Sequence, residues 1–383
     1  MTKLLLHLFV KDYENTGDPA VRSAIGALSG AVGICCNLLL TAVKLLTGWL
    51  TGSLAVTADG LNNLSDATGS IMTLAGFRLA GKPADAHHPY GHARMEYLSG
   101  LAVAVLVLFM GLELAKGSVQ KILDPAPVAF SAPALTLLVL SIAVKLWMFL
   151  FNRSLGNKIQ SAALLATAAD SRNDCVATTA VLLSGLLGRA ADWNVDGFMG
   201  LGVSVFILYS GWRMAKETVS PLLGESADPD LRQHLVDYIQ AQPGVLGYHD
   251  LMVHDYGPGK RFASIHVEMD KNQDPLACHE RIDDMERECL HSHNVQLVIH
   301  FDPVVTDDPE QNRIRQLISA ILRVKDRDLT LHDFRKQGRL LSFDVSLPPH
   351  LVGRQEDVRQ CLYTALADLG ENWQLEITFD LQP

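Results

Sequence analysis

The stretch ATAADSRNDC, residues 166–175, places Asp170, Arg172 and Asp174 inside a segment, 162–188, that is otherwise nearly all small or apolar. On a helix, positions i and i+4 share a face, so Asp170 and Asp174 point one way and Arg172 roughly the other. ADGLNNLSDA, residues 58–67, repeats the device: Asn62 and Asp66 are four apart, with Asp59 one turn earlier near the same stripe. Carboxylates inside an apolar span are costly and mark ion or proton paths. The alternative is a buried hydrogen-bonded cluster that only holds helices together. Two such pairs on two segments, with no compensating pair of lysines beside them, favour ion binding.

Charge and apolarity divide the 383 residues near position 222. Up to there 16 Lys and Arg face 14 Asp and Glu, most of them at the edges of apolar runs; beyond it 16 face 28. The first part reads as membrane and the second as an acidic soluble region. Six apolar segments, at 24–50, 54–80, 97–117, 132–151, 162–188 and 195–215, each reach the ~20 residues a helix needs to cross a bilayer. Lys3, Lys11, Arg22, Arg78, Lys82, Arg94, Arg153, Lys158, Arg213 and Lys216 fall on one side, against Lys116, Lys121 and Arg189 on the other. That bias predicts a multi-pass protein of the cell membrane with both termini cytoplasmic. The apolar run in residues 1–20 is too short, and too soon followed by charge, for a cleaved signal peptide, and reads as a cytoplasmic lead-in.

Three carboxylates and one amide oxygen on the second and fifth segments supply four oxygen ligands. Hard oxygen donors suit Mg²⁺, Ca²⁺ or Mn²⁺, whereas zinc sites usually recruit His or Cys, and no histidine lies in any of the six spans. Lys44, Lys145 and Arg172 are expected to snorkel to the headgroups or to pair with Glu96 or Glu113. The six cysteines form no CxxC pair and read as small core residues, Cys175 less clearly because it adjoins Asp174. The loop GKPADAHHPYGH, residues 81–92, offers Asp85, His88 and His92 at metal-ligand spacing, with His87 as a spare. The same loop reads equally well as a structural turn with capping histidines.

Residues 226–303 read as helix, strand, strand, helix, strand: a small α+β domain. The last 80 residues echo it. LTLHDFRKQGRLLSFDVSLP repeats the pattern of LGYHDLMVHDYGPGKRFASIHVEMD, and WQLEITFDLQP that of VQLVIHFDP. His249 matches His332 at an offset of 83, and the pairs His266/His300 and Asp344/Thr378 share a separation of 34. The domains are therefore expected at 1–20 (lead-in), 21–222 (six-helix transmembrane), 223–304 (cytoplasmic α+β) and 305–383 (degenerate second copy).

Taken together, the six spans, the paired xxxD motifs, HHPYGHARMEYLSG and the acidic domain resemble the cation diffusion facilitator family of divalent-metal exporters, over about residues 20–304. The resemblance implies a membrane all-α transporter domain followed by a metallochaperone-like, ferredoxin-like αββαβ domain, apparently duplicated here. It implies a transport site at Asn62, Asp66, Asp170 and Asp174, and a second, cytoplasm-side site at Asp85, His88 and His92. A binuclear cytoplasmic site is implied at His249, His266, His279, His300 and Asp302. Zinc-preferring members commonly carry His where Asp170 stands, so this set is similar to the manganese-exporting branch. In the second copy His332 and Asp380 persist, but His266 becomes Asp344, His279 about Asp357 and His300 Thr378. That copy therefore reads as serving packing or dimerisation. The expected function is Mn²⁺/H⁺ antiport by alternating access in a homodimer, with a divalent metal in the cytoplasmic domain and no nucleic-acid partner. Clustered carboxylates repel one another when ionised, so protons replace the departing metal. The rivals are the same transporter acting on Zn²⁺, Fe²⁺ or Co²⁺, and a membrane-anchored metal sensor without flux. An intramembrane metalloenzyme would carry something like HExxH, which is absent.

Overall fold

A computed structural model describes residues 2–51, 54–124, 132–191, 195–368, 370 and 372–381. The chain falls into two compact units: Met1–Glu225 with Asp255–Lys260, and Ser226–His254 with Arg261–Pro383.

The first unit is helical. A short helix α1 (Thr2–Phe9) precedes six long ones: α2 (Pro19–Thr51), α3 (Leu54–Ala80), α4 (Met95–Leu123), α5 (Ala132–Lys158), α6 (Ala162–Ala191) and α7 (Asp196–Leu223). Part of the expected lead-in is thus helix, and its residues Leu6 and Val10 pack into a core with Ile25, Phe77, Phe151 and Leu155. Helix α2 packs along α3, α4 along α7 and α5 along α6. Small residues set those approaches, as they do between helices in lipid. A Cβ built on Gly30 would lie 2.8 Å from the backbone nitrogen of Leu74, so only glycine permits this α2–α3 spacing. Across helices, Ser29 donates to Asn152 at 2.7 Å and the Thr73 and Thr167 hydroxyls meet at 2.9 Å.

Among the described residues four helices are long and apolar enough to cross a membrane: Pro19–Leu50, Met95–Leu123, Leu135–Lys158 and Asp196–Leu223. Helices α3 and α6 have the length but carry the charged residues of the two motifs, which lowers their apolarity. Leucine, phenylalanine and tryptophan side chains such as Leu39, Trp49, Phe109 and Leu112 stand on the outside of the helices, which water would penalise and lipid would accept. Glu96 pairs with Arg22 at 2.8 Å.

The second unit repeats one element order twice. The first module runs α8 (Pro229–Gln240), β1 (Val245–Asp255), β2 (Arg261–Asp270), α9 (Pro275–His293) and β3 (Val295–Val304). The second runs α10 (Pro309–Lys325), β4 (Thr330–Gln337), β5 (Leu340–Leu347), a 3-10 turn at Pro349–Leu351, α11 (Gln355–Asp368) and β6 (Gln374–Leu381). Each makes a three-stranded sheet, ordered β1-β2-β3 and β4-β5-β6, whose last pair is parallel. Asp-Pro dipeptides open α8, α9 and α10: the carboxylates of Asp228, Asp274 and Asp308 accept backbone N–H groups of the first turn, while proline fills a position whose own N–H would go unused. Each module closes its own core, Leu235, Ile239, Ile265, Met269 and Met285 in one and Ile314, Ile318, Phe343, Val345 and Leu362 in the other.

Candidate metal sites

In the first unit Asp66 on α3 and Asp170 and Asp174 on α6 converge, but not on each other alone. Lys145 of α5, 5% exposed, sits among them. Its ammonium donates to Asp66 Oδ2 at 2.8 Å and to Asp174 Oδ2 at 2.6 Å. This corrects the expectation that Lys145 snorkels or pairs with Glu96 or Glu113, because a buried ammonium finds more favourable partners in two adjacent, half-buried carboxylates than in a distant headgroup. Lys44, also buried, donates to Asn63 Oδ1 at 3.1 Å, and Arg172 turns away from the aspartates to Ser210 and lies over the Phe206 ring. Asp66 and Asp170 both border a cavity of about 210 Å³ shared with Val103, Leu106 and Phe109. No three of these carboxylates come within 4.8 Å of one another among the described residues. Asn62 lies on α3 one turn before Asp66, and its side chain falls outside the described residues, as does that of Asp59.

Between α3 and α4, Asp85, His88 and His92 do gather, with ligand atoms within 4.8 Å. Asp85 Oδ1 accepts the backbone N–H groups of His88 at 2.7 Å and His87 at 2.9 Å, which hold its carboxyl below the usual range. His92 Nδ1 lies 3.1 Å from the Pro83 carbonyl, leaving Nε2 facing Asp85 at 3.5 Å. The turn and the ligand set thus coincide: the hydrogen bonds that shape the loop also aim its donors.

The second unit holds the densest cluster. His249 on β1, His266 on β2 and Asp302 on β3 meet because strands β2 and β3 run in register, with His266 opposite His300 and Glu268 opposite Asp302. Asp302 Oδ2 lies 2.8 Å from His266 Nδ1 and 3.1 Å from His249 Nε2, the second contact being outside hydrogen-bond geometry. Asp333, from β4, joins them within 4.8 Å. His300 is largely exposed; its Nε2 is 3.4 Å from Asp302 Oδ1 and its ring borders that of His266. His279 is exposed on α9 and belongs to none of these groups. Two imidazoles and two carboxylates, one imidazole nitrogen lacking a hydrogen bond, fit a borderline divalent cation such as zinc.

Sequence reasoning kept His332 and Asp380 as ligand positions but did not anticipate that Asp344 gathers with them, nor that Asp333 joins the His249 group. The repeated His-Asp dipeptide at 249–250 and 332–333 signalled His332 and Asp333. Burial holds the His332 imidazole below its ordinary range, with His249 adding to the effect, and pushes Asp380 up, with Asp344 adding to it.

Aspartates gathered inside an apolar helical unit, joined to a second unit that buries imidazoles beside carboxylates, define a membrane protein that handles divalent cations. Residues 31–223 match the cation efflux transmembrane domain, and residues 227–304 match the cytoplasmic domain of cation efflux proteins. The chain belongs to the cation diffusion facilitator family. It is similar to the cation-efflux pump FieF of Escherichia fergusonii, 30% identical over 266 residues (69% of this chain and 88% of that protein). It is similar also to those of Salmonella arizonae, 30% over 283 residues (74% and 92%), and Yersinia enterocolitica, 28% over 296 residues (77% and 98%). The chain is therefore a divalent cation efflux transporter and not an enzyme. The matched cytoplasmic domain ends at residue 304, before the second module begins.

Proposed function

We propose that this transporter exports Mn²⁺ from the cytoplasm in exchange for protons, as a homodimer whose six long helices all cross the membrane with both termini inside. The cytoplasmic module would carry a divalent metal of its own, and the last 79 residues, 305–383, would be a diverged second copy of it. The observation that carries the reading is the buried Lys145 ammonium bridging Asp66 and Asp174 in the apolar unit, with Asp170 and Asp66 bordering one cavity and no imidazole among them. Oxygen-only donors favour hard cations. Asn62, one turn before Asp66, would supply the fourth oxygen.

Lys145 gives the exchange a physical form. While it bridges Asp66 and Asp174, one of their two negative charges is compensated without metal. An incoming dication has to displace the ammonium, and on the outward side protons and the returning ammonium compete the metal off. Alternating access then needs no empty, fully ionised carboxylate cluster at any stage.

The test is cation flux in proteoliposomes under an imposed proton gradient, comparing Mn²⁺, Zn²⁺, Fe²⁺ and Co²⁺ for the intact protein and Asp170→His. Manganese flux that falls in the variant while zinc flux appears is the expected result. Zinc carried by the intact protein as well as manganese would defeat the oxygen-only site as the selectivity rule. Metal binding with no flux would make the chain a sensor.

A further inference from the structure

His332 in β4 is 3% exposed, and neither of its ring nitrogens has a hydrogen-bond partner. Buried polar atoms are nearly always paired, so two such nitrogens on one ring need a reason. The nearest carboxylate oxygens are Asp380 Oδ2 at 3.5 Å and Asp250 Oδ2 at 4.0 Å, both from Nε2. Asp344 joins His332 and Asp380 within 4.8 Å. The ring stacks on His249, centroids 4.2 Å apart, and a cleft of about 320 Å³ reaches both imidazoles and Asp250 from outside.

The strand registers relate this group to the one around His249. Asp344 faces Thr378, and Ser346 faces Asp380, as His266 faces His300 and Glu268 faces Asp302. So Asp344 stands where His266 stands, and Asp380 where Asp302 stands. Each leading histidine is followed by an aspartate in the left-handed backbone region, Asp250 at φ 51° and Asp333 at φ 53°. That conformation is uncommon for a residue with a side chain, and twice at matching places it points to function. Its effect is a crossover: Asp333 of the second module joins His249, His266 and Asp302, while Asp250 of the first joins His249 and His332.

We propose that His332, Asp344 and Asp380, completed by Asp250 from the first module, form a second divalent-cation site, paired with the His249 site and assembled within one chain. One imidazole and three carboxylates make it the harder of the two, suited to Mn²⁺, while the His249 group with two imidazoles suits Zn²⁺. A single ion near His332 Nε2 would satisfy that nitrogen and offset the carboxylates around it. The site rests on the reading of the chain as a divalent-cation protein, but not on which ion is exported.

The test is Mn²⁺ binding to the full chain in detergent after chelator stripping, read by loss of the free-ion electron paramagnetic resonance signal. The background is Asp66→Asn with Asp170→Asn and Asp174→Asn, which removes the transmembrane carboxylates from the count. In that background Asp344→Asn with Asp380→Asn is expected to abolish one Mn²⁺ per chain, with an affinity loss above about 100-fold, while Zn²⁺ bound by the His249 group stays. Unchanged Mn²⁺ stoichiometry and affinity overturn the site. Asp250→Asn, at a half-buried position within β1, is read if the double change disturbs the near-ultraviolet circular dichroism; it should weaken Mn²⁺ roughly 10-fold, and an unaltered affinity again overturns the proposal. Flux is scored separately on the chain with intact transmembrane carboxylates. Loss of one bound ion without any flux leaves this site standing and sinks the transport reading; flux without that loss does the reverse.

Discussion

Lys145 holds Asp66 and Asp174 at 2.8 and 2.6 Å in the helical unit, whereas in the second unit His332 keeps two buried nitrogens unpaired beside Asp344 and Asp380. Both places concentrate carboxylates, yet among the described residues only the first has a lysine or arginine bonded to them. A site with a tethered ammonium binds metal by exchange, so part of the gain is spent on displacing the lysine, and the ion leaves readily. A site without one is left incompletely satisfied until an ion arrives, and holds it. Passage and retention call for opposite treatments of the same acidic side chain.

The contrast is broken most directly by removing an aspartate from the helical site. Asp174→Asn should lower manganese flux in liposomes by roughly 100-fold or more, beyond the loss a supporting residue gives, and flux near the intact level would remove Asp174 from the path. Lys145→Met sharpens it. Without metal the unfolding free energy should fall by roughly 3–5 kcal/mol, as when one partner of a buried pair is deleted. Saturating Mn²⁺ should restore most of that loss in detergent melts, and a metal-independent deficit would mean the lysine only packs.

Gly30→Val tests the scaffold under the helical site, where the new side chain meets the Leu74 backbone. It should cost about 1–3 kcal/mol by overpacking, and an unchanged melting temperature would show that α2 and α3 can part. Asp308→Ala removes the carboxylate that accepts the N–H groups of Glu310 and Gln311 at the start of α10. The second unit should lose about 1 kcal/mol in denaturant unfolding, with flux unaltered. The smallest effect is a pH dependence. His350 bonds the Asp326 carboxylate at 2.7 Å and holds its titration below the ordinary range. A carboxyl lowered in the folded state stabilises above its unfolded value, near about pH 3.9, and that contribution fades as pH falls through the folded value. The difference in melting temperature between the protein and Asp326→Asn should therefore shrink on acidification from about pH 6 to about pH 3; a constant difference would show that the bond does not matter.

Much of the architecture was legible along the chain. The apolar segments anticipated the long helices, and the i, i+4 spacing put Asp170 beside Asp174 because both lie on one element. Lys145 was misread for the complementary reason: its partners sit on two other helices, and no rule of spacing within a helix reports what a neighbouring helix presents. The αββαβ order of residues 226–303 followed from periodicity, and the offset of 83 between His249 and His332 exposed the second set of strands. Its chemistry did not follow, since loss of imidazoles at 344 and 378 suggested a packing role. What restored candidate ligands was a left-handed φ within the strands at Asp250 and Asp333, a backbone property that the dipeptide His-Asp hints at only when seen twice.

Residues 305–308 alone separate the end of β3 from the start of α10. A connection that short keeps the two αββαβ modules at an effective concentration on the order of millimolar or above for each other. Their pairing is therefore intramolecular: its midpoint with respect to free metal should stay the same whether the membrane holds a few copies of the transporter or is crowded with them.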